Sequence, residues 1–99
     1  MKPVIFLPEA EEEMYEAARY YESQASGLGI DYISEVERAV ASIAEFPKTW
    51  PKLEGELRRR LVRRFPFGIL YFNEKDVIVV VAVAHLRRRP GYWRRRIYG

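Results

Sequence analysis

His85 is the single histidine of a chain that has no cysteine, and it stands at the exit of the apolar run Val77 to Ala84. Imidazole is the side chain whose ordinary pKa allows proton transfer in either direction near neutral pH. Arginines bracket it: Arg58, Arg59, Arg60, Arg63 and Arg64 precede it, and Arg87, Arg88 and Arg89 follow, with Tyr92 and Trp93 just beyond. A guanidinium holds a phosphate in bidentate fashion, and an aromatic face stacks on an unpaired base. Cleavage of RNA without a metal needs a group to activate the ribose 2′-hydroxyl, one to stabilise the crowded phosphate and one to protonate the leaving oxygen. In that chemistry Arg63 or Arg64 would hold the phosphate, Arg88 would add charge, His85 would serve as acid or base, and Tyr92 or Trp93 would stack. A separate catalytic acid has only Glu54 and Glu56 as candidates.

Each of these residues also has a plainer use. A histidine at a strand end is often fixed by a backbone hydrogen bond or an aromatic neighbour. A run of arginines from Arg58 to Arg64 suits a solvated edge strand that resists sheet-to-sheet association. Large aromatics such as Tyr92 and Trp93 near a terminus commonly tie it down. The basic run after Tyr92 is the least specific feature, because such tails attract many polyanions.

Composition narrows the classes. Without cysteine there is no disulfide framework, thiolate nucleophile or thiolate metal site, and one histidine cannot build a histidine-rich one, so no metal or cofactor is expected. The 99 residues make room for one domain spanning 1–99, and 48% hydrophobic content supplies a core. Val77 to Ala84 is too short to cross a bilayer, and the acids near the N-terminus do not suit a signal peptide. The expected setting is cytoplasmic, with no membrane partner. The formal charge of +3 conceals segregation: five Lys/Arg stand against twelve Asp/Glu through Leu57, and twelve against two from Arg58 onward. The second half is the part that attracts a polyanion.

The elements that must position these groups follow from periodicity. Val4 to Leu7 reads as a short strand, and Pro8 suits the first turn of a helix because its missing N–H is not needed there. Glu9, Glu11, Glu12 and Glu13 crowd that turn, where the helix dipole favours them. Ala10, Met14, Ala17 and Tyr21 line one helical face. Ser26-Gly27-Leu28-Gly29 predicts a tight turn into a second helix with Tyr32, Val36, Ala39, Val40 and Ile43 inward and Glu35, Glu37 and Arg38 on the opposite side. Pro47 ends it and Trp50-Pro51 opens an extended linker.

From Leu57 the period shifts to two, predicting a strand that runs through Phe65 with Arg59, Leu61, Arg63 and Phe65 on one side and Arg58, Arg60, Val62 and Arg64 on the other. Ile69 to Phe72 and Val77 to Ala84 are further strands joined by the polar turn Asn73 to Asp76, and one helical turn is expected after Pro90-Gly91. The expected fold is α+β: an N-terminal strand, an antiparallel helical hairpin, then a three-stranded antiparallel meander. The helices lie on one face of the sheet, and an arginine-bearing face is left open on the other.

Along nearly its whole length the chain resembles the RelE/ParE superfamily of type II toxins. The resemblance is carried by Ala18-Arg19-Tyr20-Tyr21, Gly27-Leu28-Gly29, Glu35-Val36-Glu37-Arg38-Ala39, Pro47-Lys48-Thr49-Trp50-Pro51, Arg63-Arg64-Phe65-Pro66-Phe67, Ile69-Leu70-Tyr71, Ala82-Val83-Ala84-His85 and Arg88-Arg89-Pro90-Gly91-Tyr92-Trp93. It implies a growth-inhibiting toxin, of the kind tied to plasmid stabilisation, that is neutralised by a cognate antitoxin, as a homodimer or a toxin–antitoxin hetero-oligomer. It also leaves two targets. RelE-like members cut messenger RNA on the ribosome; for them the resemblance implies catalytic roles for His85, Arg63 and Tyr92 and RNA contacts for Arg58, Arg60, Arg64, Arg88 and Trp93. The lysine pair found in some of those members has no clear counterpart here, Lys48 and Lys52 being only distant candidates. ParE-like members inhibit DNA gyrase by binding, without hydrolysis. The nuclease is the first expectation and the gyrase inhibitor the alternative, so whether the protein is an enzyme stays open.

Overall fold

Two helices lie against one face of a five-stranded sheet, and the C-terminal segment lies against the other, in a computed structural model that describes residues 1–99. In chain order the elements are β1 (Val4–Phe6), α1 (Pro8–Gln24), α2 (Leu28–Glu45), β2 (Lys52–Glu54), β3 (Leu57–Leu61), β4 (Phe67–Asn73), β5 (Ile78–His85) and α3 (Arg94–Tyr98). The strand order is β1-β5-β4-β3-β2, with β1 parallel to β5 and every other pair antiparallel. The α+β fold, the helical hairpin and the meander are as the sequence led one to expect. The structure adds β2, which extends the meander by one strand, and docks β1 beside β5 at the far edge.

The hairpin turns where the glycines demanded it. Gly27 takes φ 87°, a left-handed conformation that costs a glycine little. Gly29 is buried where a Cβ would come within 2.6 Å of the Ala18 carbonyl oxygen, so only a glycine lets α2 approach α1 this closely. Inward from the turn, Tyr32, Val36, Ala39 and Ile43 of α2 and Ala10 of α1 pack with Phe67, Ile69, Tyr71, Ile78, Val80 and Val83 of the sheet. Glu35 departs from expectation. Its side chain is only 7% exposed and reaches Arg38 Nη1 at 3.2 Å, since position 35 lies between the buried rows of Tyr32 and Ala39 rather than opposite them.

Tyr32 is wholly buried, and its hydroxyl has no hydrogen-bond partner. Burial pushes its phenol above the ordinary tyrosine range. A buried hydroxyl without a partner carries its desolvation cost uncompensated. Tyr32→Phe is therefore expected to raise stability, by about 1 kcal/mol, measurable as a higher urea midpoint at unchanged slope; a fall of the same size would show that the hydroxyl has a partner in solution.

Two deviations decide what the second face carries. Strand β3 ends at Leu61, short of the expected Phe65, because Arg64 sits at φ 72° and turns the chain out of extended geometry. Arg63 and Arg64 thus belong to a turn. In β5 the register slips, with Leu70 opposite Ala82 but Tyr71 opposite Val80, so Val81 is a bulged extra residue. The bulge shifts the alternation: Ile78, Val80 and Val83 face the helices, whereas Val81, Ala82 and Ala84 join Leu57, Leu70 and Trp93 in a second apolar cluster. That cluster lies under the C-terminal segment, and the open arginine face opposite the helices is replaced by a covered one. The apolar alternation of β4 and β5 supplies both faces with buried side chains, which require a cover on each side.

Candidate target-binding site

The arginines expected on a shared surface are divided by the pleat of β3. Arg58 turns toward the helix side and donates from Nη1 to the Trp50 carbonyl oxygen at 2.7 Å and to that of Lys48 at 3.3 Å. Arg60 points the same way: its Nε donates to Ser42 Oγ of α2 at 2.7 Å and its guanidinium lies 4.9 Å from the Trp50 ring. Both brace the linker that follows α2. Arg59, between them, crosses to the opposite face, where its side-chain methylenes lie flat over Gly68. In the turn beyond β3, Arg63 is exposed, and Arg64 stands 3.8 Å from Asp31 of α2 and 5.4 Å from the Phe65 ring.

The tail is organised by a residue that the sequence disguised. Glu13 lies just past the acids of the first helical turn, Glu9 and Glu11, yet its side chain is 13% exposed and is the acceptor for Tyr92 and Arg96 of the C-terminal segment and for Val83 of β5. Its Oε1 accepts from the Val83 backbone N–H at 3.1 Å and from Arg96 Nη1 at 2.8 Å; its Oε2 accepts from Tyr92 Oη at 2.6 Å and Arg96 Nη2 at 2.9 Å. Arg88 approaches to 3.5 Å and lies 3.8 Å from the Tyr92 ring centre, well inside cation–π range. Burial, reinforced by the bond to Glu13, pushes the Tyr92 phenol well above its usual range, and the bond to Glu13 does the same for the Arg96 guanidinium. Tyr92 is thereby held neutral with its proton committed. Trp93, 5% exposed, is packed into the second apolar cluster.

His85 lies at the end of β5 with its ring 5.0 Å from that of Phe67, and its Nδ1 accepts the Arg87 backbone N–H at 3.0 Å. That bond leaves the ring proton of the neutral imidazole on Nε2. The histidine borders two cavities. One, of about 380 Å³, runs between α1 and the end of the sheet and is walled by Glu16, Tyr20, Tyr21, Phe67 and His85 among others. The second, of about 110 Å³, lies on the tail side between Arg59, Leu70, His85, Arg89 and Trp93. Of the residues expected to act together, the fold brings His85, Arg88, Tyr92 and Trp93 to one end of the sheet. Arg63 and Arg64 sit on the neighbouring turn, and Arg58 and Arg60 sit on the helix side.

Arg94 completes the anchoring of the tail. Its Nη2 reaches Glu54 Oε1 at 2.6 Å and its Nε bonds both carboxylate oxygens at 3.1 Å. The hydrogen bond from Arg94 holds the Glu54 carboxyl below the usual range. A carboxylate whose folded-state pKa is depressed contributes stability above its unfolded pKa and loses it as pH falls through the lower folded value. Acidification below pH 4 is accordingly expected to loosen α3 from β2, seen as earlier amide exchange at Arg95 to Tyr98. Because the pair is exposed, 0.5 M salt should produce the same loosening at neutral pH.

No group of three or more histidine, cysteine, aspartate or glutamate side chains is placed to hold a metal ion. No helix is long and apolar enough to cross a membrane.

Residues 4–90 match the family described as ParE toxin of type II toxin-antitoxin system, parDE. Among solved structures the chain is similar to one titled "Chromosomal ParDE TA system from P. aeruginosa", with a TM-score of 0.74 at 12% identity, over 88% of this chain and 98% of that one. No curated protein matches it.

Proposed function

Because the chain belongs to the ParE toxin family of type II toxin–antitoxin systems, we propose that it arrests growth by binding DNA gyrase, without cutting RNA. The observation that carries this reading is the match to the ParE family over residues 4–90, set beside the gyrase inhibition that the resemblance implies for ParE-like members. The geometry favours it as well. Of the three residues a nuclease would use, Tyr92 donates its hydroxyl hydrogen bond to Glu13, Arg63 stands on a separate turn and His85 spends Nδ1 on a backbone amide. A binding inhibitor needs no such convergence. The exposed cations outside internal ion pairs at this end of the molecule, Arg63, Arg87, Arg89 and Arg95, are the contacts we assign to the target.

A type II toxin has an antitoxin for a partner. We place it along the cleft of about 380 Å³ beside α1, where Tyr20 and Tyr21 offer aromatic surface and an amphipathic segment would bury it. The test is expression of the toxin alone, with supercoiling by purified gyrase and translation in a cell-free extract measured in parallel. Loss of supercoiling with intact messenger RNA supports the reading. Unchanged supercoiling at saturating toxin, with cleavage of ribosome-bound message, would replace it by the nuclease.

A further inference from the structure

Arg59 is half-buried, and neither a hydrogen bond nor an ion pair within the chain engages its guanidinium, although Arg58 and Arg60 on either side are both bonded. The chain supplies no acceptor to this planar five-donor cation, and its nitrogens stay open to water, so the guanidinium is free to take an acceptor from a ligand. Its setting is a cavity of about 110 Å³ shared with His85, Arg88, Arg89, Tyr92 and Trp93. Arg89 is exposed and free of any carboxylate, while Arg88 has Glu13 at 3.5 Å. Glu13 is already shared with Arg96, so positive charge is left over at this end of the sheet. The cavity is several times the roughly 30 Å³ share of a liquid water molecule, which leaves room for a small tetrahedral oxyanion.

We propose that this cavity is a phosphate-binding site in which Arg59 and Arg89 grip the anion and His85 bounds the pocket. Gly68 is part of the construction: its missing side chain lets the Arg59 methylenes lie against the strand and extend the guanidinium toward β5. Tyr92 and Trp93 wall the site on the tail side, whereas Arg59, His85 and Arg89 come from β3 and from the end of β5 and the turn after it. Arginine suits the task because its fork matches the spacing of phosphate oxygens. The site shares Arg89 with the contacts assigned to the target, but phosphate binding is measured without gyrase and stands whether or not the gyrase reading holds. A phosphate could reach it as a free ion or as a diester in a nucleic-acid backbone.

The experiment is an NMR titration of the full chain, following the Trp93 indole N–H and the His85 ring protons. The three probes are inorganic phosphate, the dinucleotide thymidylyl-thymidine, which has one diester and no terminal phosphate, and acetate as a carboxylate control. Saturable shifts with phosphate or the dinucleotide but not acetate are expected, and the tighter of the two identifies the source. Arg59→Gln, and separately Arg89→Gln, should weaken that binding at least tenfold, whereas Lys75→Gln at the opposite end of β4 should not. Absence of shifts with both phosphates, equal response to acetate, or unchanged affinity in both arginine variants would overturn the proposal. Arg89 is exposed, so its variant keeps the test valid even if Arg59→Gln perturbs folding.

Discussion

Glu13→Ala is expected to lower folding stability by about 3 kcal/mol, the low end of the range for removing one member of a buried charge pair, because Glu13 and Arg96 keep 13% and 14% of their side-chain surface exposed. The reason lies in what remains. Arg96 is 14% exposed and directs two N–H groups at Glu13, and Tyr92 and the Val83 amide point their donors at the same carboxylate. Truncation leaves them without acceptors, apart from the Val81 carbonyl oxygen 3.1 Å from Arg96 Nη1. Urea unfolding measures the loss. The double variant Glu13→Met with Arg96→Met provides the control, because an apolar pair of similar volume is frequently as stable as the ion pair it replaces. If the single variant costs under about 1 kcal/mol, as an ordinary surface ion pair would, Glu13 does not organise the tail.

Trp93→Ala should be comparably damaging, at about 3–5 kcal/mol for loss of a large buried aromatic. Trp93 is 5% exposed and is the largest buried side chain in a cluster with Leu57, Leu70, Val81, Ala82 and Ala84, against which Phe72, Tyr92 and Ile97 pack only in part. A tryptophan serving only as an exposed platform for a base would instead change stability by less than about 0.5 kcal/mol. Thermal unfolding read by circular dichroism separates the two. The variant should also expose the tail face, giving dye binding to apolar surface and faster exchange in β4 and β5.

How far the sequence disclosed all this differs from element to element. The helical hairpin was legible because Ala10, Met14, Ala17 and Tyr21, then Tyr32, Val36, Ala39 and Ile43, repeat at a helical period that few other structures satisfy, with Gly27 between them. Strand β5 was legible from its β-branched run. The end of β3 was not, since Val62 and Phe65 keep the alternation going into a turn that Arg64 makes by taking a left-handed backbone, and nothing in an arginine's type announces that. The bulge at Val81 was hidden for the same reason: a continuous apolar run has no marked faces, so a slip of one residue leaves no trace in it.

Of the site, the position of His85 at the end of β5 and the helical turn after Pro90-Gly91 were visible. The division of the arginines was half visible, because alternation separated Arg59 from Arg58 and Arg60 but could not say which side the tail would cover. Glu13 escaped notice for a physical reason: it continues a run of acids, Glu9, Glu11 and Glu12, that opens a helix, and the favourable dipole of the first turn gave that run an explanation which called for no distant partner. Only the long-range partners Val83, Tyr92 and Arg96 single it out, and those are 70 to 83 residues away. The tail aromatics carried a clearer signal, since a tryptophan and a tyrosine among arginines near a terminus are a common way to fasten it.

The parallel pairing of β1 with β5 sets an order in time. Val4, Ile5 and Phe6 pair with Ile78, Val79 and Val80, so β1 finds its neighbour only after β5 has been synthesised. The hairpin of α1 and α2 can form beforehand from local contacts, whereas the edge strand and the Glu13 clasp wait for the far end of the chain. Until β5 and the segment after it have been made the domain is therefore structurally incomplete, and during that interval a partner arriving from a neighbouring ribosome would meet the helices before the finished sheet.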